Sequence, residues 1–182
     1  MPPDDRSLIR QFQAEFLAQR ATADKAIAQL DDEQIRRSLD GDVNSVAIVM
    51  KHLAGNFLSR FTDFLTTDGE KAWRERDGEF VDDFAPGAAG RGQIEARWSE
   101  GWACLTGALD GLRDADLAGT VTIRGEPHTV QRALTRALAH AAHHTGQIVL
   151  LARMTVGPER WRTISIPRGG SKEYNRKMGY GG

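Results

Sequence analysis

The chain has 182 residues, 40% of them hydrophobic and 27% charged, with a formal net charge of -1. That length suffices for one domain, spanning residues 1–182, with a real core. The near-neutral balance gives no global field to draw nucleic acid or an anionic membrane. A single cysteine, Cys104, excludes an intramolecular disulfide framework, and its setting Trp102-Ala-Cys-Leu-Thr106 reads as packed helix. No stretch approaches the roughly 20 apolar residues that span a bilayer. Met1-Pro-Pro-Asp-Asp-Arg6 lacks the basic region and apolar run of a secretory signal. The expectation is a soluble cytoplasmic protein acting on a small molecule, with no nucleic-acid or membrane partner.

Four segments carry helical periodicity. The first runs from about Asp4 to Leu30, with Leu8, Ile9, Phe12, Phe16, Ile27 and Leu30 at steps of three and four, and Asp4 or Asp5 as a cap. The second runs from about Val43 to Leu65 along the stripe Val46, Val49, Met50, Leu53, Phe57, Phe61 and Phe64, with Asn44 or Ser45 as cap. Residues 68–92 read as a long loop holding Trp73, Phe80 and Phe84, ending in the flexible run Pro86-Gly-Ala-Ala-Gly-Arg-Gly92. A third helix follows from about Gln93 to Leu112, on Ile94, Trp98, Trp102, Leu105 and Leu109. Segment 119–130 alternates Val121, Ile123 and Val130 around Arg124-Gly125, a small hairpin. The last helix spans about Val130 to Met154 and stops at Gly157-Pro158. Beyond it, residues 157–182 form an irregular arm that packs through Trp161, Ile164 and Ile166 and then frays. The fold class is all-α, a four-helix bundle.

Chemistry concentrates in His140-Ala-Ala-His143-His144-Thr-Gly-Gln147, which holds three of the five histidines. Residues four apart on a helix share a face, so His140 and His144 can offer nitrogens to one ion at about 2.0–2.1 Å each. Two interior imidazoles one turn apart repel if charged and lack partners if neutral, and a shared divalent metal resolves both problems. A third ligand must come from another helix. His52 stands at the edge of the second apolar stripe, where Gly55 permits close approach. Taken alone, His52 is more often a hydrogen-bonded core residue than a ligand. His143 flanks the pair as a supporting group, a substrate contact or a substitute ligand, and His128 is expected to be exposed. Asn56 and Gln147, one helical turn from His52 and His144, could orient a ligand, while Arg60 and Arg136 could hold an anionic substrate.

Zinc proteases build a glutamate into the helical histidine pair; here Ala141, Ala142 and His143 stand in between, so no general base is built in. A metal-dependent hydrolase would have to recruit one elsewhere, Asp63 and Glu100 being weak candidates. An open three-imidazole site suits activation of a thiol, which requires no protein base. A non-catalytic metal-binding stress-response or structural protein is the alternative. Protonation of the imidazoles is expected to release the ion as pH falls below about 6.

His52-Leu-Ala-Gly-Asn56 followed by His140-x-x-His143-His144-x-Gly-Gln147 resembles the DinB/YfiT-like superfamily. Lys51 to Phe57, Phe64 to Lys71 and the tail Ser165 to Asn175 look like an uncharacterised, unknown-function branch of it. The similarity covers nearly the whole chain. The resemblance implies an up-down-down-up bundle, a homodimer, and the metal ligands His52, His140 and His144. It also implies a metal-dependent S-transferase joining a low-molecular-weight thiol co-substrate to an electrophile. Zinc or nickel best suits the donors, and manganese or iron also accepts imidazole.

Overall fold

The computed structural model describes residues 5–180, and α-helices with short 3₁₀ segments make up 61% of the structure, most of it in five α-helices. In chain order these are α1 (Ser7–Ile27), α2 (Val46–Phe61), α3 (Gly87–Asp110), α4 (Val130–Val156) and a short α5 (Ser171–Lys177). Strands β1 (Thr120–Ile123) and β2 (Glu126–Thr129) form one antiparallel hairpin. No helix among the described residues is long and apolar enough to cross a membrane.

The helix starts have local causes. Ser45 accepts the Ile48 N–H at 3.3 Å and Thr129 accepts the Arg132 N–H at 3.1 Å, so α2 and α4 begin on side-chain caps. The start of α1 differs from expectation. Asp4 lies outside the described residues, and Asp5 is not the cap; the Asp114 carboxylate accepts the Leu8 and Ile9 N–H groups at 3.1 and 3.0 Å. A residue over 100 positions away thus fills the orphan donors of the first turn.

The glycine-rich run after Pro86 is not flexible loop but the first turn of α3. Gly90 lies so close to the Ala85 carbonyl that a Cβ would sit 1.8 Å from it, and Arg36 donates to that same carbonyl at 2.7 Å. Tertiary packing overrides the low helix propensity of glycine here. The tail likewise departs from a frayed arm by forming α5, while Trp161 and Ile164 pack against the core and Ile166 stays exposed.

The core is centred on Phe16, Phe57 and Trp102, with Phe57 and Trp102 ring centres 4.8 Å apart. Contacts between α2 and α3 advance in the same sense along both helices: Ala54 meets Gly101, Phe57 meets Trp102, and Thr62 meets Cys104. Those between α1 and α3 run oppositely, from Gln13 on Asp110 to Trp98 on Asp24. A Cβ at Gly101 would lie 2.6 Å from Ala54 Cα, so this helix pair packs backbone to backbone. The hairpin turns at Arg124 and Gly125, both with positive φ (56° and 73°), the geometry of a two-residue turn that matches strand twist.

Gly101→Ala should therefore lower unfolding free energy by about 1–3 kcal/mol in urea titration. Gly107→Ala, on the same helix with open space around it, should be neutral or stabilising by up to about 1 kcal/mol.

Candidate metal centre

Helical spacing sets the site. His140 and His144 stand one turn apart on α4, and α2 carries His52 to meet them. One ring nitrogen from each of the three lies within 4.8 Å of the others, a group that could hold a metal ion. His140 Nε2 and His144 Nε2 are 3.0 Å apart. Two nitrogens each about 2.0–2.1 Å from one ion are separated by about 3 Å when they subtend roughly a right angle.

The outward nitrogens of two rings are engaged. His52 Nδ1 meets Glu79 Oε2 at 2.9 Å, and His144 Nδ1 meets Gln147 Oε1 at 2.7 Å. Both partners are acceptors, so Nδ1 carries the proton and Nε2 keeps its lone pair for the centre. His140 Nδ1 is buried without a partner among the described residues. Burial, then the neighbouring His144 and His52, pushes the His140 pKa down to about 3. Burial also lowers that of His144, against the hydrogen bond to Gln147. These imidazoles are neutral at neutral pH, the state a metal requires, and the donor set fits a borderline divalent ion.

Glu79 was not legible as a site residue. It comes from a 3₁₀ turn, Asp77–Phe80, in the connection between α2 and α3, and is only 6% exposed. Burial alone would raise its pKa, but hydrogen bonds from His52 and Arg74 hold it below the ordinary carboxylate value. Arg74 grips it with two nitrogens, at 2.8 and 2.9 Å. The approach depends on Gly55: a Cβ there would stand 2.2 Å from Glu79 Oε1. Lys51 fastens the same connection by donating to the Gly78 and Val81 carbonyls, at 2.8 and 3.0 Å, and Phe80 lies over the His52 ring at 4.8 Å.

The other sequence candidates divide. His143 is exposed, packs edge-on against His144 at 5.2 Å, and is outside the converging group. Asn56, Arg60 and Arg136 line a cavity of about 210 Å³ together with His140. The Arg60 guanidinium is already bound to the Gly69 carbonyl and to Glu70. Asp63 and Glu100 are exposed, Glu100 pairing with Arg97, and neither joins the centre. His128 corrects the expectation of an exposed turn residue: it is 3% exposed. The alternation of β2 turns it inward, and its Nε2 accepts from Arg136 Nη1 at 3.2 Å.

Residues 5–170 match the model of a family described as Protein of unknown function (DUF1572). The chain belongs to that family. No curated protein and no solved structure matches this DUF1572 member significantly. The family's description assigns no chemistry, so function must be argued from the centre itself.

Unfolded, the His140 imidazole titrates near 6.5; folded, it titrates near 3. Between those values the unfolded chain binds the extra proton, so stability rises with pH across this window. Melting of the metal-free protein should be insensitive to this group above about pH 6.5 and fall as pH drops below it. His140→Asn should flatten the pH 6.5 to 4.5 limb, measured before the carboxylates titrate. The lowered pKa also moves proton competition for a bound ion below the pH 6 expected of free imidazole.

Proposed function

We propose that this protein binds one divalent metal ion through Nε2 of His52, His140 and His144 and acts as a metal-dependent S-transferase. The low-molecular-weight thiol and an electrophilic small molecule would be its substrates. The observation that carries the reading is the convergence of three imidazole nitrogens within 4.8 Å, two of the rings fixed from behind by Glu79 and Gln147. Zinc or nickel suits the donors best. Three protein ligands leave room for exchange, and the cavity beside His140 supports entry of a small molecule. When bound, the ion would supply Lewis-acid activation of a thiol near neutral pH.

The centre is poorly suited to hydrolysis by a protein base. Its carboxylate, Glu79, lies behind His52 on Nδ1 and is held by Arg74, so it orients a ligand, and it is not among the residues that line the cavity beside His140. The same reading takes the four long helices as an up-down-down-up bundle. The parallel run of α2 contacts on α3, the antiparallel run of α1 on α3, and the meeting of His52 with α4 support it.

Elemental analysis should find about one ion per chain, and His140→Ala or His144→Ala should abolish it. Retained metal in both variants overturns the assignment. Glu79→Gln should give a folded but less stable protein, because Arg74 loses its ion pair, and should weaken metal affinity by about 10–100-fold. Incubation with a panel of thiols and electrophiles should show metal-dependent thiol consumption; none across the panel would reject the transferase reading.

A further inference from the structure

We propose that the cavity beside the three histidines binds a small organic carboxylate with an apolar body, its head group held by Arg136. His140 is the one of the three histidines that lines the cavity, most of whose wall comes from α2 and α4, with Phe61, Phe64 and Ala137 among its apolar residues. Its volume of about 210 Å³ suits a compact molecule.

The charges around it are unequal. Arg60 pairs with Glu70 at 2.9 Å, a carboxylate it shares with Arg124, and Arg74 pairs with Glu79. Arg136 forms no ion pair among the described residues, and its one hydrogen bond there is to His128. A guanidinium can only donate, so the imidazole Nε2 accepts. Glu126 approaches that Nε2 at 3.7 Å but does not pair with Arg136. His128 therefore positions the guanidinium without cancelling its charge, which a carboxylate in its place would do. The side-chain amide of Asn56, which has no hydrogen-bond partner among the described residues, adds a second donor to the lining. One uncompensated cation and one amide match a monoanion better than a dianion such as phosphate.

Arg136 precedes His140 by four residues of α4, a rise of about 6 Å, on a similar face of the helix. A ligand held at Arg136 would present its other end to the centre. The inference rests on the metal reading only for that orientation.

The test uses the zinc-loaded full chain and isothermal titration with 3-phenylpropionate and its neutral isostere 3-phenylpropanamide. The acid should bind about tenfold or more tightly than the amide. Arg136→Gln should erase that preference without changing zinc content. Equal binding of acid and amide, or no binding of the acid at millimolar concentration, overturns the proposal. So does a preference that survives Arg136→Gln, which would mean that the acid binds the ion directly. Zinc is assayed separately in each sample. Acid preference lost with Arg136→Gln in protein that holds no zinc supports the pocket and overturns the metal reading alone.

Discussion

The carboxylate of Glu79 is taken out of water between His52 and Arg74, and most of the site's order depends on it. An unpaired buried charge costs several kcal/mol, so this glutamate is tolerable only because both oxygens are engaged by buried donors. The requirement propagates. Arg74 also lies 3.7 Å from Glu70, which pairs with Arg60 and with Arg124 of the hairpin turn. Asp68 accepts the Glu70 N–H at 2.7 Å and the Gly125 and Arg124 N–H groups at 2.8 Å each, and these bonds hold its pKa down at about 2. A continuous polar network thus joins His52 on α2 to the β1–β2 turn, and breaking it at Glu79 would leave Arg74 buried without its strongest partner.

The three histidines obey a related constraint from the opposite direction. Packed against one another with His52 buried and the other two half-buried, they cannot all be charged, and burial already holds His140 and His144 in the neutral form. Without an ion, His140 Nε2–H can donate to the lone pair of His144 Nε2 at 3.0 Å, which leaves His140 Nδ1 buried without a partner among the described residues. The hydrogen bonds at the back of His52 and His144 fix which nitrogen faces inward, so the polarity of the centre is set before any ion arrives. A preorganised set of this kind loses little conformational entropy on binding.

The parts of this arrangement that sequence reveals are those with a period. The i, i+4 pair His140 and His144 and the apolar stripes of α1, α2 and α3 follow from 3.6 residues per turn. Glu79 has no such marker: it is 27 residues from His52, in a connection whose local composition says only loop. The nearest hint is Gly55, three residues beyond His52, an opening on that helix face whose occupant the sequence does not name. His128 was misplaced because a four-residue strand is too short to separate its inward positions from turn residues. The start of α3 was misplaced because glycine reads as a breaker until something packs against it, as Ala85 does on Gly90.

Topology and chemistry are linked through that same connection. Helices α2 and α3 run side by side in the same sense, so the chain leaving Phe61 must return the full length of α2 before α3 can begin. For a 16-residue helix that is about 24 Å. A two-residue turn cannot cover it, and residues 62–86 do. A return path lying along α2 brings its side chains beside the outward edge of that helix, where His52 presents Nδ1. Gly55 provides the gap, Lys51 ties down the carbonyls on either side, and Glu79 enters between them. The long connection that parallel packing demands is the segment that supplies the carboxylate. A shorter, antiparallel α2–α3 joint would leave His52 without its partner, and the polarity of the centre would no longer be fixed from that side.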